Sequence, residues 1–180
     1  MLRSDACSLR PWRLQDALLL PDIANDAEVA RYLMPRFPHP YRLHDAQAWV
    51  RLNQNAEPIL NFAIDHRGEL AGGIGLTPGE PELGRAGVTT IGYWLGRRFW
   101  GKGIAAAAVS LLGDHAFAAL GVRRLWANVM APNVASARVL ERAGFHHEAT
   151  LHGALVDRAG GVHDELVYVR FAGGAARENG

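Results

Sequence analysis

The chain has 180 residues, 49% apolar and 21% charged, with a formal net charge of +1 at pH 7. These are ordinary values for one soluble globular domain, long enough to bury a sizeable core, and they give no global electrostatic case for nucleic acid or an anionic membrane. Cys7 is the only cysteine, so no intrachain disulfide can form, and a cytoplasmic, reducing setting is expected.

Cys7 to Leu9 reads as a short first strand. Gln15 to Tyr32 has a helical pattern, interrupted near Pro21-Asp22 or Asn25-Asp26. The next stretch, Pro35 to Tyr41, is too proline-rich for helix or central strand, and Leu43 to Asn55 forms a second helix. Asn61 to Asp65 and Leu70 to Leu76 make a hairpin around His66-Arg67-Gly68. A loop from Thr77 to Gly87 leads into a strand over Val88 to Leu95. Ile104 to Leu120 is a helix rich in Ala and Leu, stopped by Gly121. A strand over Arg124 to Val129 and a helix over Asn133 to Ala143 follow, the latter ended by Gly144. Phe145 to Val156 and Val162 to Phe171 close the fold as a hairpin, leaving 173–180 as a frayed tail. The order implies an α+β domain over 1–172, a sheet flanked by helices.

The eight histidines lack metal-ligand spacing, so metal chemistry is not expected. No segment approaches the length of a membrane span.

The stretch Ile91 to Ala108 carries the chemistry. It runs from an apolar strand through Arg98-Phe99-Trp100-Gly101-Lys102-Gly103 into a helix start. A helix start presents unpaired N–H groups and the positive dipole end, and glycines let backbone approach a ligand. With Arg97, Arg98 and Lys102 nearby, the turn suits an anion such as a phosphate. Its structural alternative is a plain strand-to-helix turn with solvated arginines. Gly101-Lys102-Gly103-Ile104-Ala105-Ala106 also fits a dinucleotide fingerprint. The strand Arg124 to Val129 ends without the carboxylate that a ribose would need, and no Ser or Thr follows Lys102 as a Walker loop requires.

Arg98-x-x-Gly101-x-Gly103 resembles the acyl-CoA pyrophosphate loop of the GNAT superfamily of N-acetyltransferases. One helix and one strand later, Asn133, Ser136, Leu140-Glu141 and Gly144-Phe145 resemble the same family's next motif. With Phe37-Pro38-His39-Pro40-Tyr41, the chain looks like the branch that acetylates N-termini of ribosomal proteins at alanine or serine, over about Leu9 to Phe171.

The resemblance implies a GNAT-like fold: a mixed, mostly antiparallel twisted sheet of about seven strands, flanked by about four helices and splayed at its central strands. It implies acetyl-CoA as cosubstrate, a primary amine as acceptor, and direct transfer through a tetrahedral intermediate. The acceptor is a protein N-terminus by preference, or a small molecule; a CoA-binding module with little turnover is the further alternative. Cofactor contacts would come from Gly92, Trp94, Leu95, Arg98, Phe99, Trp100, Gly101, Lys102, Gly103, Ile104, Ala105, Asn128, Asn133 and Ser136. Tyr93 lies nearest the reacting centre, Ser136 near sulfur, and Phe37, His39 and Tyr41 border the acceptor. Asn133 is also a good N-cap residue in its own right.

Relatives often place a Glu at the positions of Thr90 and Ala107. Asp164 is therefore the favoured proton acceptor, with Glu165, His163, Glu148 and His39 as other candidates and a water chain as the fallback. Each of these side chains has a plain surface-charge reading beside it. No nucleic-acid, membrane or metal partner is implied. A homodimer is the family's frequent assembly, with no stretch here that demonstrates an interface.

Overall fold

The computed structural model describes residues 1–174 of the chain. Of the expected tail, 175–180 lie outside the described residues. Among the described residues there are eight strands: β1 (Leu2–Arg3), β2 (Ser8–Arg10), β3 (Asn61–His66), β4 (Glu69–Pro78), β5 (Val88–Leu95), β6 (Arg124–Met130), β7 (His146–Val156) and β8 (Val162–Phe171). Five α-helices accompany them: α1 (Asp16–Ala24), α2 (Ala27–Ala30), α3 (Leu43–Asn53), α4 (Ile104–Ala119) and α5 (Val134–Arg142). The strand order is β1-β2-β3-β4-β5-β6-β8-β7. The pairs β1–β2, β2–β3, β3–β4, β6–β8 and β7–β8 are antiparallel, and β5–β6 is parallel. This is the expected α+β architecture with a mostly antiparallel sheet.

Two counts differ from the expectation of seven strands and four helices. β1 has only two residues, too short for an alternating pattern to register. The first helical stretch divides at Asn25-Asp26, where the Asp26 carboxylate accepts the Glu28 N–H at 2.8 Å and starts a new helix. Pro21 is accommodated inside α1.

The chain forms two compact units, with residues of β4, β5 and α4 in both. The first comprises Met1–Gly75 and Tyr93–Ala108. Its core includes Leu9, Leu20, Val50, Ile64 and Ile104, all under 2% exposed. Arg10 on β2 and Asp16 at the start of α1 form a buried ion pair, and the same carboxylate accepts the Arg13 N–H at 2.7 Å. Gly72 and Gly73 on β4 explain themselves by crowding. A Cβ at Gly72 would stand 2.1 Å from the Trp94 carbonyl oxygen, and one at Gly73 would stand 2.9 Å from the Trp94 indole nitrogen. Any side chain there would displace β5 backbone or its tryptophan.

Among the described residues, the second unit comprises Leu76–Gly92 and 109–174. Val109, Leu112, Leu125, Leu140 and Val169 fill its core. β6 pairs with β8 over seven residues, from Arg124 opposite Phe171 to Met130 opposite Glu165. The β7–β8 register shifts between His147 and Ala149 and again between Leu151 and Leu155.

Candidate functional site

The glycine-punctuated turn lies in the first unit. Gly96 donates its N–H to the Ala71 carbonyl at 2.9 Å, fixing the end of β5 against β4. Arg97–Phe99 then make a single 3-10 turn. Phe99 is buried, while the Trp100 indole N–H reaches back to the Leu95 carbonyl at 2.8 Å. Gly101 and Gly103 take φ of +74° and +75°, with open space where a Cβ would stand, and both flank the exposed Lys102. This left-handed backbone is inexpensive only for glycine. α4 starts immediately afterwards at the buried Ile104, followed by Ala105. The first N–H groups of such a 16-residue helix have no intrahelical acceptor, and its dipole end is positive there.

Two of the three cations here, Arg98 and Lys102, rest on one ring. The Arg98 guanidinium carbon stands 4.8 Å and the Lys102 nitrogen 5.7 Å from the Phe99 centroid. Arg98 also meets Glu69 at 3.4 Å, but both side chains are mostly exposed, so that pair adds little stability and leaves the guanidinium able to exchange partners.

In the same unit, Phe37 links two other predicted residues: its ring lies 5.2 Å from Tyr41 and 5.3 Å from Trp94. Tyr41 is buried, and its N–H donates to the Asn25 carboxamide at 2.9 Å. Burial, with Asp45 as the lesser cause, pushes the Tyr41 phenol up to about 12. Phe37 and Trp94 are half-buried, and His39 is exposed. A cleft of about 380 Å³ lies between Asp22, Ile23 and Asp26 on one side and Gly96, Arg97 and Arg98 on the other. Its acidic wall was not foreseen from the sequence. Asp22 and Asp26 precede the turn by some 70 residues with no motif of their own, and folding alone makes them neighbours.

Tyr93, half-buried on β5, belongs to the first unit, while Gly92, Asn128, Asn133, Ser136 and Asp164 lie in the second. β5 and β6 run in parallel register over Val88/Arg124, Thr89/Leu125 and Thr90/Trp126. Ile91 and Gly92 extend β5 past the last of these pairs, and Gly92 has open space over its Cα. Asn128, beyond the same point on β6, donates its amide to Glu165, which is 8% exposed. Met130 accepts the Asn133 N–H at 2.7 Å, and the Asn133 side-chain oxygen accepts the Ser136 N–H at 3.2 Å. Asn133 is thus the N-cap of α5, and it places the half-buried Ser136 one turn into the helix. Leu140 is core, and Glu141 accepts the Tyr168 hydroxyl at 3.1 Å, so the Leu-Glu of this motif acts structurally here.

Asp164 is committed to the closing hairpin. One carboxylate oxygen accepts the Gly153 N–H at 2.9 Å, and the other meets His152 Nδ1 at 3.0 Å. The Gly153 N–H, then the imidazole, hold its pKa below the usual aspartate value. No sequence signal points to His152 as the partner of Asp164, because contact over 12 residues depends on the hairpin register. His163 pairs instead with Asp157 at 2.8 Å, and Glu148 with Arg124. Among the described residues, no group of three or more His, Cys, Asp or Glu is placed to hold a metal ion. Nor is any helix among them long and apolar enough to cross a membrane.

Comparison with known proteins adds the family. Residues 7–146 match the family model described as an acetyltransferase (GNAT) domain. The "Uncharacterized N-acetyltransferase p20" of Bacillus licheniformis is 31% identical over 166 residues, covering 87% of this chain and 91% of its own length. Among solved structures, the GNAT-family acetyltransferase from Bacillus anthracis superposes with a TM-score of 0.81 at 22% identity, covering 96% of this chain and 99% of that one. RimJ of Mycobacterium smegmatis, solved in complex with CoA-disulfide, gives a TM-score of 0.78 at 27% identity, covering 95% and 85%. With most of its length matched by the family model and by a relative of the same size, the chain belongs to the GNAT acetyltransferase family.

Proposed function

We propose that this acetyltransferase moves the acetyl group of acetyl-CoA to a primary amine, with a protein N-terminal amine as the preferred acceptor. The observation that carries the reading is the Arg98–Gly103 turn. Two left-handed glycines flank Lys102, two cations share the Phe99 ring, and the first turn of α4 follows at once. Such a turn offers backbone donors and positive charge to a pyrophosphate. The CoA-disulfide held by RimJ supports the same ligand class.

Arg98, Phe99, Trp100, Gly101, Lys102, Gly103, Ile104 and Ala105 hold the pyrophosphate in this reading. Gly92, Trp94 and Leu95 serve the thioester and pantetheine through their backbone, with Tyr93 nearest the reacting carbonyl. Asn128 and Asn133 complete the cofactor contacts. Backbone donors aimed at the thioester oxygen stabilise the oxyanion of the tetrahedral intermediate. Ser136 supplies a proton to the departing sulfur, and Asp164 belongs to the group that removes one from the amine. Phe37, His39 and Tyr41 border the acceptor. Much of the rate comes from holding thioester and amine together. The reading treats residues 1–172 as a single acetyltransferase domain working in the cytoplasm.

The test is acetyl-CoA-dependent release of free thiol, followed spectrophotometrically, with peptides bearing a free N-terminal Ala or Ser, the same peptides N-blocked, and a panel of small amines. Saturable release with free N-termini above the other amines is expected. Release with small amines alone would overturn the acceptor. Acetyl-CoA binding without release to any amine would overturn turnover, and loss of neither activity nor binding in a folded Arg98→Glu variant would overturn the pyrophosphate site.

A further inference from the structure

We infer that His152, oriented by Asp164, is the general base that takes the proton from the acceptor amine. This rests on the acetyl-transfer reading and deepens it. A primary amine is protonated near neutral pH and is then no nucleophile, so the reaction needs a proton acceptor. Thr90 and Ala107 are not ionisable, and Glu165 is buried against the Asn128 amide. The Asp164 oxygens accept from the Gly153 N–H and the His152 ring, so the carboxylate is held in place.

His152 has what Asp164 lacks. Nδ1 faces the Asp164 carboxylate at 3.0 Å, and the ring tautomer that donates to that oxygen leaves Nε2 as an acceptor. The side chain is 83% exposed, so a substrate can reach it and the proton can leave to solvent. The dyad also stands at the correct end of its unit. The Asp164 carbonyl accepts the Ala131 N–H at 2.9 Å, and Ala131 opens the turn that leads through Asn133 to Ser136. A bulge in β7 between Leu151 and Leu155 surrounds His152, and such irregularities re-aim side chains.

The protons balance in two steps. Nε2 of His152 takes one proton from the ammonium, and the neutral amine attacks the thioester carbon. The C–N bond forms, the C–S bond breaks, and the second nitrogen proton passes to the thiolate by way of Ser136. His152 then returns its proton to solvent. Asp164 is the positioning residue.

The experiment compares His152→Ala, His152→Gln, Asp164→Asn and the control His163→Gln in the thiol-release assay with an Ala-initiated peptide, folding being checked by thermal melting. General-base removal typically lowers rate by about 10²–10⁴-fold. A kcat loss of about a hundredfold is expected in both His152 variants, with the KM for acetyl-CoA within about twofold and added imidazole restoring part of the His152→Ala activity. His163→Gln, which removes the imidazole that meets Asp157, should lose far less kcat than His152→Gln, and an equal or larger loss overturns the inference. Asp164→Asn should lose less than His152→Ala, and adding it to His152→Ala should cost nothing further. Full activity in folded His152→Gln overturns the inference while leaving the acetyl-transfer reading standing. Loss in Asp164→Asn with His152→Ala active makes Asp164 itself the base and also overturns it. A wild-type protein that releases no thiol with any amine overturns both.

Discussion

Arg10 and Asp16 meet in a two-point ion pair, Nη1 to Oδ2 at 2.8 Å and Nη2 to Oδ1 at 2.9 Å, with only 6% and 1% of their side chains exposed. The pair joins β2 to the first turn of α1. Removing Asp16 leaves the buried Arg10 charge with only the longer Asp65 contact, at a cost of up to about 3–5 kcal/mol. Asp16→Ala is expected to lower the thermal midpoint by on the order of 10 °C, read by calorimetry. A loss below about 1 kcal/mol would mean that water or Asp65, 3.4 Å from the same guanidinium, replaces the carboxylate.

Gly103→Ala separates ligand binding from packing. Nothing stands within 4 Å of the added methyl, so no clash arises, but φ of +75° strains any residue with a Cβ. A stability loss of about 1–2 kcal/mol is expected from this strain. CoA affinity should fall at least tenfold, measured by isothermal titration at a temperature where the variant is folded. Unchanged affinity would place the pyrophosphate elsewhere.

Asn133 and Ser136 differ in which atoms they use. The cap bond runs from the Ser136 backbone N–H to the Asn133 side chain, so the serine hydroxyl takes no part in it. Asn133→Ala should cost about 0.5–2 kcal/mol of stability through the lost cap. Ser136→Ala keeps that cap bond, which the Ser136 backbone makes, and should lower kcat. Equal kcat in wild type and Ser136→Ala would remove the hydroxyl from the proton path.

Tyr41 makes stability sensitive to alkali. Burial favours the neutral phenol and lifts its pKa from the ordinary 10 to about 12. A raised value means that its contribution is complete below pH 10 and is lost as pH rises from 10 towards 12. Urea midpoints measured across that window should fall more steeply in the wild type than in Tyr41→Phe. A phenolate absorbance signal missing from Tyr41→Phe but appearing near pH 10 in the folded wild type would contradict the buried placement.

The elements with purely local causes were legible beforehand. The turn at Gly101 and Gly103, the Asn133 cap, the Gly121 and Gly144 stops and the closing hairpin each follow from a few neighbouring residues. β1 was not legible, because two residues carry no period. The break between α1 and α2 was narrowed to two sites, and the Asp26 cap decides between them.

By itself, then, the sequence determined the order of the longer strands and helices, the glycine-punctuated turn and the family, because backbone conformation and capping act within a few residues. Only the tertiary structure decided that Trp94 lies over Gly72 and Gly73, that Asp22 and Asp26 face Arg97 and Arg98 across a cleft, and that Asp164 holds His152. Those contacts depend on strand register and on residues distant in the chain, and no local propensity encodes which side chains such a register brings within hydrogen-bonding distance.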